Sequence, residues 1–145
     1  MGSAAAAAAR TPTGTEQMAL HKARVFVVED HPATARGLKM FLEVSGYTVE
    51  IAHTMRAALE TSAKTDFDVM LCDLNLPDGD GWQLLESLTK KKPVRAIAFS
   101  AFDEPEQIAR SKAAGFVEHV VKGVTPEDLV AAIERAMPDG ATARK

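Results

Sequence analysis

Short apolar runs alternate with stretches of helical periodicity from residue 24 to residue 137. Each run is rich in β-branched residues and is followed by a polar or glycine-containing turn, after which apolar positions recur at helical spacing. The runs cover residues 25–28, 47–51, 69–72, 96–99 and 116–121. Strands that alternate with helices in this way predict an α/β fold, a doubly wound five-stranded parallel sheet flanked by five helices.

The pattern inside each run indicates its place in the sheet. Four runs are apolar on both faces, which is typical of inner strands in a parallel sheet that helices cover on both sides. The run at 47–51 instead alternates apolar and polar residues. We therefore expect an edge strand at 47–51 and inner strands at the other four runs.

Capping signals mark the first and the last predicted helix. Pro32 falls in the first turn of helix one, where its missing N–H costs little, and Gly46 follows that helix as a stop signal. In the last helix, Thr125 can act as the N-cap and Pro126 occupies the first position. The apolar stripe of this helix is Leu129, Ile133 and Met137.

The length of 145 residues suits one domain. The alternating pattern places that domain at residues 23–138. Residues 1–22, which begin with an alanine-rich stretch, are interpreted as a flexible leader or a cloning remnant, and residues 139–145 as a C-terminal tail.

Charge and composition exclude several functions. The net charge is −3 without a basic stripe, so we expect no nucleic-acid binding. No apolar stretch is long enough to cross a bilayer, and no signal peptide is evident, which predicts a cytoplasmic protein that does not bind membranes. The single cysteine, Cys72, lies in an apolar run and indicates a buried thiol in a reducing compartment.

Acidic residues follow two of the apolar runs. Glu29 and Asp30 come after the first run, Asp73 after the third, and Asp78 and Asp80 lie just beyond Asp73. The carboxyl ends of parallel strands meet at one edge of a sheet, so these groups are expected to converge there. Carboxylates about 5 Å apart repel by roughly 3 kcal/mol per pair, so gathering them requires either protonation or a bound cation, and a hard cation is the natural answer. The sequence therefore predicts a site for Mg²⁺, which prefers oxygen ligands.

Two further polar residues end other runs. Ser100 follows the fourth run and Lys122 follows the fifth. An ammonium and a hydroxyl could bind phosphoryl oxygens, while a carboxylate such as Asp73 can act as a nucleophile toward an activated phosphoryl group. Any one aspartate is more often a helix cap than a nucleophile, but the joint arrangement favours phosphate chemistry.

These motifs resemble the response-regulator receiver domain. The resemblance covers residues 24 to 137 and rests on Glu29-Asp30, the segment at 73–81 (DLNLPDGDG), Ser100-Ala101 and Lys122. It implies the flavodoxin-like strand order 2-1-3-4-5 and a phosphoacceptor in two-component or phosphorelay signalling that is not an enzyme in the ordinary sense. The implied partner is a histidine kinase or a histidine phosphotransfer protein.

The resemblance also implies individual roles. Asp73 is expected to accept the phosphoryl group, and Glu29, Asp30, Asp73 and the backbone carbonyl of Asn75 to bind Mg²⁺. Ser100 is expected to sense the phosphoryl group as a switch residue and Lys122 to contact it. These last two residues and Asp73 form the expected reaction site.

The chain departs from the family pattern at two positions. Gly123 follows Lys122 where the family usually has proline, often after a cis bond, so we expect a trans bond here. The family's switch aromatic falls on His119, which is either a switch residue that rotates inward with Ser100 or a partly exposed histidine without a special role.

Other interpretations fit less well. The haloacid-dehalogenase phosphatases need a second aspartate where this chain has Asn75, and Pro77 occupies a ligand position of an EF-hand loop. The serious alternative is an interaction module that keeps the receiver fold without being phosphorylated. The sequence leaves open a stand-alone regulator or the receiver of a hybrid histidine kinase, as a monomer or weak homodimer.

Overall fold

A computed structural model of the chain describes residues 23–138. The elements in chain order are β1 (Arg24–Val28), α1 (Pro32–Val44), β2 (Thr48–Ala52), α2 (Met55–Lys64), β3 (Val69–Asp73), β4 (Asn75–Leu76), β5 (Gly79–Asp80), α3 (Gly81–Thr89), β6 (Ala96–Ser100), α4 (Pro105–Ala114), β7 (Glu118–Val121) and α5 (Pro126–Ala136). The main sheet has five parallel strands in the order β2-β1-β3-β6-β7. In terms of the five predicted runs this is the order 2-1-3-4-5, so the predicted fold is confirmed.

The edges of the sheet correct one prediction. The run at 47–51 does form an edge strand, β2, but the run predicted at 116–121 is not an inner strand, because β7 forms the other edge. It is also shorter than expected and begins at Glu118. The apolar character of this run comes partly from Phe116, which is buried in the core just before the strand starts.

A short antiparallel ribbon was not foreseen. β4 and β5 have two residues each and pair Asn75 with Asp80 and Leu76 with Gly79. Strands of this length carry no periodicity that a sequence pattern can reveal. The ribbon lies directly between Asp73 and α3, so it shapes the loop that follows the third strand of the sheet.

Helices cover both faces of the sheet and enclose two apolar clusters. The first cluster packs α1 and α5 on the sheet through residues such as Leu42, Leu129 and Ile133. The second packs α2 and α3 on the opposite face through Ala58 and Leu84, among others. Burial of a large aliphatic side chain contributes about 1.5 to 3 kcal/mol, so these clusters supply most of the stabilisation. Cys72 is buried within the second cluster, as expected.

The predicted helix signals are present in the structure. Pro32 opens α1 and Pro126 opens α5, whose N-cap Thr125 accepts a hydrogen bond from the Asp128 N–H at 3.1 Å. Gly46 follows α1 with a φ of 106°, a left-handed conformation that glycine adopts without strain. These signals fix where the helices begin and end, and therefore where the loops at the sheet edge begin.

Candidate functional site

The site lies at the carboxyl edge of the parallel sheet. Glu29 and Asp30 follow β1, Asp73 ends β3, Ser100 ends β6 and Lys122 follows β7. Because β1, β3, β6 and β7 are adjacent and parallel, their ends lie along one edge of the sheet. The charged groups of Glu29, Asp30, Asp73 and Lys122 do come together there, whereas convergence of the Ser100 side chain with them stays a prediction.

The ammonium of Lys122 bridges two carboxylates. Its Nζ lies 2.9 Å from Glu29 Oε1 and 3.1 Å from Asp73 Oδ2. Glu29 is only 1% exposed and Asp73 5%, so both acids have lost most of their water. Pairing with a shared cation offsets the cost of burying these charges.

The pKa shifts follow from this burial and pairing. Burial raises the pKa of Asp73, and hydrogen bonds from the Asn75 N–H and from Lys122 offset only part of the rise. For Glu29, burial is outweighed by the nearby Lys122 ammonium and by hydrogen bonds from His31, which hold its pKa below the ordinary value. Burial alone would lower the pKa of Lys122, but Glu29 and Asp73 raise it, so the lysine stays charged.

The backbone around Asp73 is tightly fitted. The Asn75 N–H donates to Asp73 Oδ1 at 3.0 Å, which fixes the carboxylate relative to its own loop. Gly81, at the start of α3, donates its N–H to the Leu74 carbonyl at 3.0 Å. A Cβ at Gly81 would lie 2.8 Å from the Asp73 carbonyl oxygen, so only glycine allows this close approach.

The acidic residues form a group that fits a cation. Glu29, Asp30, His31 and Asp73 each offer a ligand atom, and these atoms lie within 4.8 Å of one another. Asp30 Oδ1 is buried and has no hydrogen-bond partner among the described residues, although His31 Nδ1 lies 3.3 Å away at ion-pair distance. Glu29 Oε1 also lacks a well-directed hydrogen bond and relies on the Lys122 charge. A carboxylate oxygen left without a donor suits a hard divalent cation such as Mg²⁺.

The other two acids of the sequence prediction act differently. The Asp78 carboxylate accepts hydrogen bonds from the N–H groups of Met55 and Arg56, at 2.7 and 2.9 Å, and so caps α2 from a distant loop. Asp80 is the N-cap of α3 and accepts from the Gln83 N–H at 2.8 Å. The expectation that they converge with Asp73 was wrong, because the first turns of two helices bind their carboxylates.

Ser100 and His119 contact the same peptide. The Ser100 hydroxyl accepts a hydrogen bond from the Phe102 N–H at 3.1 Å, and His119 Nε2 lies 2.9 Å from the Phe102 carbonyl oxygen. The Lys122 N–H in turn donates to the Ser100 carbonyl at 2.7 Å. The loop after β6 is therefore tied both to the end of that strand and to β7.

Comparison with known proteins identifies the family. The profile of the response regulator receiver domain matches residues 25–134. The chain belongs to this family. Transcriptional regulatory protein HprR of Escherichia coli is 26% identical over 110 residues, which are 76% of this chain and 49% of HprR. MctR of Rhizobium johnstonii is 31% identical over 123 residues, 82% of this chain and 57% of MctR, so the chain spans about half the length of these two relatives.

A solved structure supports the same conclusion. The CheY-like receiver domain protein of Methanospirillum hungatei JF-1 superimposes with a TM-score of 0.75 and is 33% identical, covering 79% of this chain and 93% of that protein. The chain is thus a receiver domain of the two-component response-regulator type. Among residues 23–138, no helix of this receiver is long and apolar enough to span a membrane.

The loop after Lys122 explains one departure of this receiver from the family pattern. Gly123 has a φ of 105°, in the left-handed region. Proline is locked near −65° and could not adopt this conformation, whereas glycine adopts it readily. Gly123 is therefore required by the backbone path found here; the trans bond expected before it stays a prediction.

Sequence reasoning missed several residues of the receiver site. His31 accompanies the acidic group, and its position directly after Glu29 and Asp30 was a usable signal. His53, after β2, lies with Nδ1 2.9 Å from the Glu29 carbonyl oxygen. Ser111 of α4 contacts His119 and Trp82. The contacts of His53 and Ser111 join residues from different elements, so no local sequence pattern indicates them.

Proposed function

We propose that this receiver accepts a phosphoryl group on Asp73 from the phosphohistidine of a histidine kinase or a histidine phosphotransfer protein. The observation that carries the proposal is the Lys122 ammonium held 3.1 Å from the buried Asp73 carboxylate and 2.9 Å from Glu29. A charged lysine beside a buried carboxylate at the carboxyl edge of the sheet suits the binding of phosphoryl oxygens.

In the proposed step, one Asp73 oxygen attacks the phosphorus atom while the bond from phosphorus to the histidine nitrogen breaks. The product is a mixed anhydride on Asp73, and the histidine recovers the electron pair of the broken bond. The Asn75 N–H restrains Oδ1 of Asp73, and the Lys122 ammonium would move its contact from Oδ2 to the incoming phosphoryl oxygens.

Glu29, Asp30, Asp73 and the backbone carbonyl of Asn75 would hold Mg²⁺. The metal, when bound, neutralises negative charge on the phosphoryl oxygens and on the carboxylates. The buried Asp30 Oδ1, which accepts no hydrogen bond from residues 23–138, supports this assignment. His31 lies beside these acids, with Nδ1 3.1 Å from Glu29 Oε2.

Ser100 and His119 would act after phosphorylation. The Ser100 hydroxyl, which is buried at the end of β6, would donate to a phosphoryl oxygen and so alter its bond with the Phe102 N–H. His119 contacts the carbonyl of the same residue, Phe102, and is therefore proposed as the switch residue that answers this change.

In this proposal the receiver is a signalling phosphoprotein of the cytoplasm and assists its own phosphorylation without being an enzyme in the ordinary sense. The two relatives named above are transcriptional regulatory proteins of about twice the matched length. This receiver is proposed to work as a stand-alone regulator, as part of a longer regulator or as the receiver of a hybrid histidine kinase. A monomer or weak homodimer is the proposed state.

The test is phosphorylation by acetyl phosphate with Mg²⁺, followed by mass spectrometry of the intact chain. We expect one phosphoryl group, labile to hydroxylamine, in the unsubstituted protein and in the control Asp66→Asn, which changes an exposed acid paired with Lys92. Asp73→Asn should not be modified. Equal modification of Asp73→Asn would refute the acceptor, and no modification of any variant would favour an interaction module that is not phosphorylated.

A further inference from the structure

A line of hydrogen bonds runs from Trp82 on α3 to the Ser100 hydroxyl. Trp82 Nε1 lies 3.1 Å from Ser111 Oγ, Ser111 Oγ lies 3.0 Å from His119 Nδ1, and His119 Nε2 lies 2.9 Å from the Phe102 carbonyl oxygen. The Phe102 N–H then donates to Ser100 Oγ at 3.1 Å. The line therefore joins α3, α4, β7 and the end of β6.

The donors and acceptors along this line have one consistent direction. The indole N–H of Trp82 can only donate, and the Phe102 carbonyl can only accept. Nε2 of His119 must therefore carry a proton, and in the neutral ring Nδ1 accepts from the Ser111 hydroxyl. Ser111 can accept from Trp82 and donate to His119 at the same time, so every polar atom on the line has a partner.

Ser111 also holds α4 in an unusual way. Among the ten residues of α4 it is the buried one, with 0% exposure, and it is polar. Surface helices usually dock through an apolar stripe, as α5 does here with Leu129 and Ile133. In α4 the half-buried Ala114 contacts the second cluster, and the one fully buried position is a hydroxyl that is bonded on both sides. The Arg110 guanidinium lies 3.8 Å from the centre of the Trp82 ring.

We propose that Ser111 is a positioning residue, which holds α4 against Trp82 and His119 and couples this helix through the Phe102 peptide to the Ser100 hydroxyl. A change in the Ser100 hydrogen bond loosens the Phe102 peptide, which in turn releases His119 and Ser111. The signalling role of this coupling rests on the proposed phosphorylation of Asp73. The hydrogen bonds themselves are present without phosphate, so the coupling can be measured without it.

The experiment uses the full chain labelled with ¹⁵N. Trp82 is the sole tryptophan, so its indole N–H gives one resonance that reports on the Ser111 bond. Ser100→Ala should shift this resonance in the otherwise unsubstituted protein and leave it in place when Ser111→Ala is also present. The matched control is Ser62→Ala, a buried helical serine that donates to the Leu59 carbonyl at 3.0 Å; in that background the shift should persist.

A second pair of variants tests the coupling even if Ser111→Ala does not fold. His119→Phe keeps a ring but removes both hydrogen bonds, and it should also abolish the response of Trp82 to Ser100→Ala. His119→Gln can accept from Ser111 and donate to Phe102, so it should restore the response. Loss of one neutral hydrogen bond changes an equilibrium by about two- to tenfold, so partial responses are measurable.

Beryllofluoride with Mg²⁺ then separates this inference from the proposed function. If beryllofluoride binds, read from the Asn75 amide resonance, the indole should respond in the unsubstituted protein and not in Ser111→Ala. If it does not bind, the proposed function fails, whereas the Ser100→Ala comparison still decides the coupling. The coupling is refuted if the Trp82 indole resonance does not shift in Ser100→Ala, or if the shift persists in both the Ser111→Ala and the His119→Phe background. It is also refuted if ¹⁵N shifts place the His119 proton on Nδ1.

Discussion

At the scale of single residues, Lys122 supplies the positive charge that pairs with two buried carboxylates of the site. It faces Glu29 and Asp73 with one ammonium, and 26% of its own side chain stays exposed. In metal-free solution, Lys122→Ala should lower the free energy of unfolding by about 1 to 3 kcal/mol, because a charged carboxylate is left buried without a partner. Added Mg²⁺ should reverse part of the loss, since a divalent cation can pair with the same acids.

Urea unfolding in EDTA and in Mg²⁺ measures this effect. The control is Lys92→Ala, which removes a surface pair with Asp66 and should change stability by about 0 to 1 kcal/mol with no dependence on Mg²⁺. An equal loss for Lys122→Ala in both solutions would show that its role is not to neutralise the acids that are proposed to bind Mg²⁺.

The sequence predicted well which charged side chains come together where the sheet alone determines their position. Glu29, Asp30, Asp73 and Lys122 follow parallel strands, so topology brings them together without any knowledge of side-chain contacts. Asp78 shows the limit of this reasoning. It follows Asp73 closely in sequence, yet it binds the start of α2, and only the folded path of both loops makes that contact possible.

At the scale of elements, the start of α3 is fitted to β3 through glycine. In Gly81→Ala the new Cβ would lie 2.8 Å from the Asp73 carbonyl oxygen, so the backbone at Asp73 must shift. We expect a less stable protein with slower phosphorylation by acetyl phosphate. Gly37→Ala is the control: apart from its chain neighbours and the backbone of α1, no atom of residues 23–138 lies within 4 Å of the added Cβ, and alanine in α1 should stabilise by about 0.5 to 1 kcal/mol.

The result would contradict this account of the β3–α3 junction if Gly81→Ala matched Gly37→Ala in both stability and phosphorylation. Gly79→Ala gives an intermediate case, because its Cβ would meet Met55 Cε at 2.7 Å and a flexible side chain can move away. The rank order of the three variants therefore tests whether backbone or side-chain contacts limit this part of the site.

The edge strand β7 is joined to α5 by a bidentate ion pair. Arg135 Nε and one of its terminal nitrogens donate to the Glu118 oxygens at 2.7 and 2.8 Å. The hydrogen bond from Arg135 holds the pKa of Glu118 below its ordinary value. A carboxyl with a lowered folded pKa stabilises the protein above its unfolded pKa, and this contribution is lost as the pH falls through the folded pKa.

We therefore expect Glu118→Gln to be less stable than the unsubstituted protein above about pH 5, and the difference to shrink below about pH 4. The difference should be small because Arg135 is largely exposed. Denaturant unfolding at a series of pH values measures it. A difference that stays constant across this range would mean that Glu118 acts through packing and not through its charge.

Element boundaries were harder to predict than element types. The run at 116–121 mixes a buried aromatic, Phe116, with a strand that starts at Glu118, and hydrophobicity alone does not separate the two. Likewise, Leu76 in the ribbon of β4 and β5 is buried in the second cluster, but two residues per strand leave no periodic signal in the sequence.

At the scale of the whole molecule, the sequence predicted the fold because its parts agree with one another. Strand runs, helical stripes and caps at Pro32, Thr125 and Pro126 all fit one alternating topology, and the rules for parallel sheets then allow few arrangements. The two apolar clusters lie on opposite faces of the same strands. Loss of either cluster should therefore unfold the shared sheet.

This shared sheet leads to a prediction about cooperativity. Ile133 is fully buried in the first cluster and Leu84 in the second, and alanine at either position should cost about 2 to 5 kcal/mol. Trp82 packs against the second cluster only. In Ile133→Ala its fluorescence should nevertheless report the same lowered midpoint as far-ultraviolet circular dichroism, because a small domain unfolds in one transition.

The control is Val44→Ala, at a position that is 87% exposed, which should change stability by no more than about 0.5 kcal/mol. If Ile133→Ala lowered the circular dichroism midpoint while Trp82 kept its original transition, the two faces of the sheet would be separate folding units, and the site at its carboxyl edge would not depend on both.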